Sequence, residues 1–251
     1  MQSTSGCTGC TETATPVSRV VRVYKRIRMA KDRFVRGLNL VRRDLGTLLF
    51  HWTRTRTESR ELFSSAAAKK VPAKAVLKEI LNSGDLRGGN GYIKGAYNCV
   101  CFTEAPISEV AALFRLAECM PVEDRPRYEP YGIAVKKEWL FERGGRPVIY
   151  QPDAEYSLLP EELKWRHARY EPANGIDFTW EREWRVRVER LTLDPKATIV
   201  VVPTVDEAFD LMYGHADLEP DDWGDDGLPA HIYHKPKWLA VSLDFFGVSK
   251  P

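Results

Sequence analysis

The sequence predicts an α+β fold, and three observations carry that expectation. Short runs rich in Val, Ile, Cys and aromatic residues recur along the chain, as strands require. The helical segments between them are short and do not form a regular βαβ repeat, which argues against a doubly wound sheet. The chain also has 251 residues, 43% hydrophobic and 29% charged, a composition able to bury one sizeable core. No internal repeat is visible.

Residues 1–17 are Ser, Thr, Gly and Cys with almost nothing apolar, and their composition predicts a disordered tail. Residues 18–46 alternate basic and apolar positions. Val20, Tyr24 and Ile27, then Phe34, Leu38, Val41 and Leu45, repeat at helical spacing, so a basic amphipathic helical leader is expected. Met29 is an alternative start. Residues 47–251 then form a single α+β domain. Leu48–Thr53 reads as a buried strand carrying His51, Glu58–Ala67 as a helix, and Pro72–Ser83 as a second helix stopped at Gly84. Asp85–Gly91 reads as a loop. Its three glycines lack the Gly-Lys-Ser/Thr of a phosphate loop. Cys99–Glu104 is a strand and Ile107–Met120 a helix, with Ser108 expected to cap it and Glu109 in its first turn. Residues 121–130 hold three prolines and form a loop. Strands follow at Tyr131–Val135 and Pro147–Tyr150, flanking a short helix at Lys137–Phe141. A helix over 155–170, a strand at Phe178–Val188, a strand at Ala197–Val202, a helix at Val205–Met212 and a last strand at Trp238–Leu243 complete the order.

Charge is distributed unevenly. Arg19–Arg43 holds ten Lys or Arg and one acid, Asp32, whereas Asp217–Asp226 holds six acids and no base. A basic leader suits nucleic acid or an acidic partner, and equally a solvated helix face. No run of 18 apolar residues and no apolar segment after the N-terminus occurs, so neither a membrane span nor a secretory signal is expected. The cysteines are Cys7, Cys10, Cys99, Cys101 and Cys119. An odd number without framework spacing fits a reducing, cytoplasmic setting. Cys7 and Cys10 have zinc-ligand spacing, but a zinc site needs two further ligands, and the pair His231 and His234, far along the chain, reads equally well as a surface turn.

The most informative stretch is Phe178–Val188. Read as one strand, it places Thr179, Glu181, Glu183, Arg185 and Arg187 on one face, and Phe178, Trp180, Arg182, Trp184, Val186 and Val188 on the other. Two neighbouring carboxylates repel, which raises one pKa unless a cation compensates. The arrangement suits a solvated face of Arg–Glu pairs or an active-site strand with a working carboxylate.

The blocks Cys101-Phe102-Thr103-Glu104-Ala105-Pro106 and Trp180-Glu181-Arg182-Glu183-Trp184-Arg185, together with Leu49–Thr53, Ile80–Leu86, Tyr131–Val135 and Arg146–Tyr150, resemble the abortive phage-resistance family AbiGi over roughly residues 45–245. That pattern in turn is similar to mono-ADP-ribosyltransferases, including toxins such as DarT that modify DNA. The resemblance implies mixed, mostly antiparallel sheets with flanking short helices. It implies NAD as substrate, with His51 on an early strand holding it, Thr103 as the middle element, Glu183 as the catalytic carboxylate and Glu181 completing Glu-x-Glu. Loss of nicotinamide passes through an oxocarbenium-like state that a carboxylate stabilises. Glu181 would act on the acceptor as a general base. Thr53 would stay near His51, Arg185 or a leader arginine would meet the pyrophosphate, and Tyr150 would stack on a ring. The acceptor is expected to be a macromolecule, nucleic acid or protein, and a partner protein encoded nearby is expected. Two other readings stand beside this one. One is a non-catalytic, antitoxin-like binding protein whose acidic stretch 217–226 faces a basic partner. The other is a metal-dependent nuclease using Glu104, Glu181 and Glu183. The residues also have bland roles: Glu104 as a helix cap, Trp180 and Trp184 as core. Cys101 has no local His or Asn to activate it as a nucleophile.

Overall fold

A computed structural model describes residues 46–58, 69–121, 125, 128–213 and 236–247. The chain divides into two units, 1–43 and 44–251, and all described residues lie in the second. The expected tail and leader (but for Gly46), Cys7 and Cys10, the acidic stretch 217–226, and His231 and His234 lie outside the described residues.

The elements follow in order: β1 (Leu48–Trp52), β2 (Arg56–Glu58), β3 (Lys69–Val71), α1 (Ala73–Ser83), β4 (Asp85–Arg87), β5 (Cys99–Thr103), α2 (Ile107–Glu118), β6 (Gly132–Lys136), α3 (Lys137–Glu142), β7 (Arg146–Pro147), β8 (Ile149–Gln151), β9 (His167–Arg169), β10 (Glu183–Arg187), β11 (Arg190–Thr192), β12 (Thr198–Val202), α4 (Val205–Tyr213) and β13 (Leu239–Ser242). Seven strands form one sheet in the order β13-β12-β6-β1-β5-β10-β7. Its pairs are antiparallel apart from β12 with β13, so the α+β class with a mixed, mostly antiparallel sheet is what the chain forms.

Helices cover both faces of this sheet. Leu49, Val100, Phe102, Ile133, Trp184, Val186 and Val200 point to one face and pack with Leu77 and Leu81 of α1 and Leu140 of α3. Phe50, Trp52, Ala134 and Val201 point to the other and pack with Val110, Ala111 and Phe114 of α2. Phe50 and Trp52, two residues apart on one face, stack at 5.5 Å, and Trp52 meets Phe114 edge-on at 5.1 Å. Leu49 is fully buried, and a side chain of its size contributes about 1.5–3 kcal/mol by leaving water. Gly132 opposes Trp52 across the β1–β6 pair. A Cβ there would stand 2.6 Å from the carbonyl oxygen of His51, so this strand position admits only glycine.

Several sequence expectations change. The helix expected over 58–67 begins instead with Glu58 closing β2, which pairs with β3, and the rest of it is outside the described residues. Asp85–Arg87 is not loop: Leu86 is buried and β4 pairs with β11. Gly84 ends α1 in the left-handed conformation, as expected of a C-terminal glycine. Pro106, not Ser108, precedes the first turn of α2, and no side chain caps it. The helix expected over 155–170 is two 3₁₀ turns, Asp153–Leu158 and Glu161–Arg166, followed by β9. Pro160 separates the two turns, because its ring removes an N–H and disfavours a helical residue before it. Pro147–Tyr150 divides between β7 and β8.

Candidate active site

The strands carrying His51, Thr103 and Glu183 are consecutive in the sheet, β1-β5-β10. Register decides which side chains share a face. Phe50 opposes Thr103, and Thr103 opposes Glu183. These three therefore lie on the α2 face, with Cys101 and Arg185, which oppose each other one step along. His51 opposes Ile133 and falls on the other face, with its ring edge-on to Phe102 at 5.7 Å. The structure thus brings Thr103, Glu183 and Arg185 together and leaves His51 across the sheet from them. The His51 ring reaches the backbone of β5, where Nδ1 lies 2.8 Å from the Cys101 carbonyl oxygen. A carbonyl only accepts, so Nδ1 carries the proton. Burial pulls the imidazole pKa down, partly offset by that bond.

The stretch 178–188 is not one strand. Thr179–Glu181 makes a 3₁₀ turn, Arg182 takes a left-handed conformation at φ 46°, and only then does β10 begin at Glu183. A left-handed L residue costs about 1–2 kcal/mol, and two bonds to the turn oppose that cost. The Arg182 N–H donates to the Thr179 carbonyl at 3.1 Å, and the Thr103 hydroxyl donates to the Glu181 carbonyl. The same Thr103 oxygen accepts the Ala105 N–H at 3.0 Å. Thr103 is therefore a clamp on the Glu181 turn. Because the turn precedes the strand, Phe178 and Trp180 do not enter the core as the alternation predicts. They are 53% and 47% exposed, while Trp184 is buried.

Glu181 and Glu183 have different surroundings. Arg185 grips Glu183 in a fork, Nε to Oε1 at 2.8 Å and Nη2 to Oε2 at 3.0 Å. Its Nη1 donates to the carbonyls of Trp165 and His167 at 3.1 and 2.7 Å. A buried guanidinium so fully engaged fixes the carboxylate it holds. Arg185 is only 5% exposed and is not placed to meet a pyrophosphate. Glu181 accepts from the Tyr128 hydroxyl at 3.2 Å. Burial, and after it the charge of Glu183, push the Glu181 carboxyl up to about 7, against the lowering effects of Tyr128 and Arg185. Burial pushes the Tyr128 phenol far above its ordinary range, so it stays a donor.

The Tyr150 hydroxyl braces the site. Its hydroxyl donates to the Phe178 carbonyl at 3.2 Å and accepts the Glu183 N–H at 3.0 Å. Thr53 is buried, and its hydroxyl lies 2.8 Å from the Tyr131 carbonyl and 3.2 Å from that of Ala73, a structural tie away from the carboxylates. Burial and Glu183 push the Cys101 thiol far above its ordinary range, which leaves it without thiolate character. Tyr128 escaped the sequence reading because it lies in the proline-rich loop 121–130, where no periodicity marks an inward position.

Glu104 turns to the face opposite Glu183. It is buried, pairs with Lys137, and accepts the Trp184 indole N–H at 2.8 Å. It neither caps α2 nor joins Glu181 and Glu183. Among the described residues, no three His, Cys, Asp or Glu side chains gather closely enough to hold a metal ion. No described helix is long and apolar enough to cross a membrane. No protein-family model, curated protein or solved structure matches the chain.

Proposed function

We propose that the chain is an ADP-ribosyltransferase-like protein of a bacterial phage-defence or toxin–antitoxin system, transferring ADP-ribose from NAD to a macromolecular acceptor. One observation carries the chemistry: of two adjacent carboxylates, Glu183 is gripped by Arg185 and Glu181 accepts from the neutral Tyr128 hydroxyl. Such pairs divide acid–base and charge-stabilising roles. Glu183, fixed by Arg185, supplies negative charge to the ribose as the C1′–N bond of NAD breaks and nicotinamide leaves with the bonding electrons. Glu181, titrating near 7, takes the proton from the acceptor oxygen or nitrogen as it bonds to C1′. Trp180 and Phe178, exposed on the same turn, offer flat surfaces to planar rings. The defence role rests on the resemblance of the two motif blocks.

A second reading has one observation in its favour. Both Glu183 oxygens are already occupied by Arg185, as suits an antitoxin-like binding protein that does no chemistry. Incubation with labelled NAD and cell extract separates the two. The transferase reading expects label on a macromolecule with the wild type and none with Glu183→Ala. Equal labelling by both proteins, or no labelling by either, contradicts it. The metal-dependent nuclease reading loses its basis, because Glu104 stands apart from the other two carboxylates.

A further inference from the structure

The edge strand β7 gathers two arginines that the carboxylate pair does not use. Arg146 lies on β7, the last strand of the sheet, and Arg166 closes the second 3₁₀ turn. Arg146 Nη1 donates to the carbonyls of Phe141 and Gly145 at 2.8 and 2.6 Å, and its guanidinium lies 3.9 Å from the centre of the Phe141 ring. Arg166 Nε donates at 2.9 Å to the carbonyl of Pro147, the residue after Arg146. Backbone carbonyls therefore fix both guanidinia beside β7. A guanidinium has five N–H donors. These bonds leave Arg146 the fork of Nε and Nη2, and Arg166 the fork of Nη1 and Nη2. Both residues are half-buried. Among the described residues, no acid comes within ion-pair distance of either. Burial, and after it the charge of Arg146, pull the Arg166 pKa below its ordinary value. Two cations are thus held side by side against their repulsion, by neutral carbonyls alone.

We infer that Arg146 and Arg166 form a site for a phosphomonoester dianion at the β7 edge. Guanidinium forks match phosphate oxygens bidentately. A monoester offers three terminal oxygens and about two negative charges near neutral pH. It therefore has acceptors for both forks and charge to offset both cations. A phosphodiester has a single charge and two terminal oxygens, so it satisfies one fork and leaves the second cation uncompensated. Phe141 is 50% exposed under Arg146 and gives the site an apolar border for an organic group joined to the phosphate. The site does not depend on the transferase reading.

The test is isothermal titration calorimetry of the full chain with inorganic phosphate and with phenyl phosphate, at constant ionic strength and without NAD. The wild type is expected to bind both, and to bind dimethyl phosphate about tenfold more weakly. Tighter binding of phenyl phosphate assigns the site to an organic monoester, and equal or weaker binding assigns it to free phosphate. Arg146→Gln and Arg166→Gln are each expected to weaken binding about tenfold or more. Arg166→Lys keeps the charge without the fork and should fall between Arg166→Gln and the wild type. Arg143→Gln removes a nearby cation that stacks on Trp139 at 4.1 Å, and it should bind as the wild type does. Thermal melts without ligand confirm that each variant folds, and Arg166→Gln decides the matter if Arg146→Gln does not. Four results overturn the inference. They are no binding of either monoester by the wild type, unchanged affinity in Arg166→Gln, an equal loss in Arg143→Gln, and a diester bound as tightly as a monoester. Because NAD is absent, absence of transferase activity leaves this result unaffected.

Discussion

The carboxylates where β5 ends and β10 begins lie toward opposite faces of the sheet, and their surroundings differ. Glu104 is closed off, with Lys137 on one oxygen and the Trp184 indole on the other. Across the sheet, Arg185 occupies Glu183 alone, and Glu181 is left with the neutral hydroxyl of Tyr128. A carboxylate with a cation in contact is held in position by it. One without a cation, beside a second carboxylate, gains a proton easily. The sequence admits Glu104 beside Glu181 and Glu183 only as a metal ligand, and their partners set it apart from both.

The largest test of this contrast is Arg185→Met. It leaves the partly buried Glu183 without its cation, and breaking a fully buried pair costs about 3–5 kcal/mol, the upper bound here. Denaturant unfolding should show that loss. Glu104→Gln should cost less, about 1–3 kcal/mol, because Lys137 is a quarter exposed and can turn to water. It should leave any NAD chemistry unchanged, and a collapse of activity in this variant would erase the distinction between the two faces.

Glu181 adds a pH dependence. Its carboxyl titrates near 7 in the folded chain against an ordinary value of 4.5. Between those values the folded chain holds a proton that the unfolded chain has lost, so stability falls as pH rises from about 4.5 to about 7. The fall is on the order of 1–3 kcal/mol and should be absent from Glu181→Gln in denaturant melts taken at each pH. The smallest effect is expected from Tyr128→Phe, about 0.5–1.5 kcal/mol for one hydrogen bond. Because that bond holds the Glu181 pKa down, its loss should move the titration upward.

The sequence made parts of this legible and hid others for identifiable reasons. β1, β5 and β12 are apolar runs long enough to read, and the Gly84 stop is plain. The three-residue strands β2, β3, β4 and β11 are too short for alternation to be counted. The left-handed turn at Arg182 falls on a residue that gives no warning of it, so the candidate active-site strand was expected to begin too early. That turn also exposes Phe178 and Trp180 and takes Glu181 off the strand. The separation of His51 from Glu183 depends on a one-residue parity fixed by strand register, which the order of motifs along the chain does not contain.

We propose that Glu181 and Glu183 work as a divided pair on NAD. Nicotinamide release from NAD, followed against pH in the wild type and in Glu181→Gln, tests it most directly. The wild-type rate should rise with pH through about 7, and the variant should be about 10²–10⁴-fold slower and lack this limb. A variant that keeps the wild-type rate and pH profile, or a wild type that releases no nicotinamide with oligonucleotide or cell extract supplied, would contradict it.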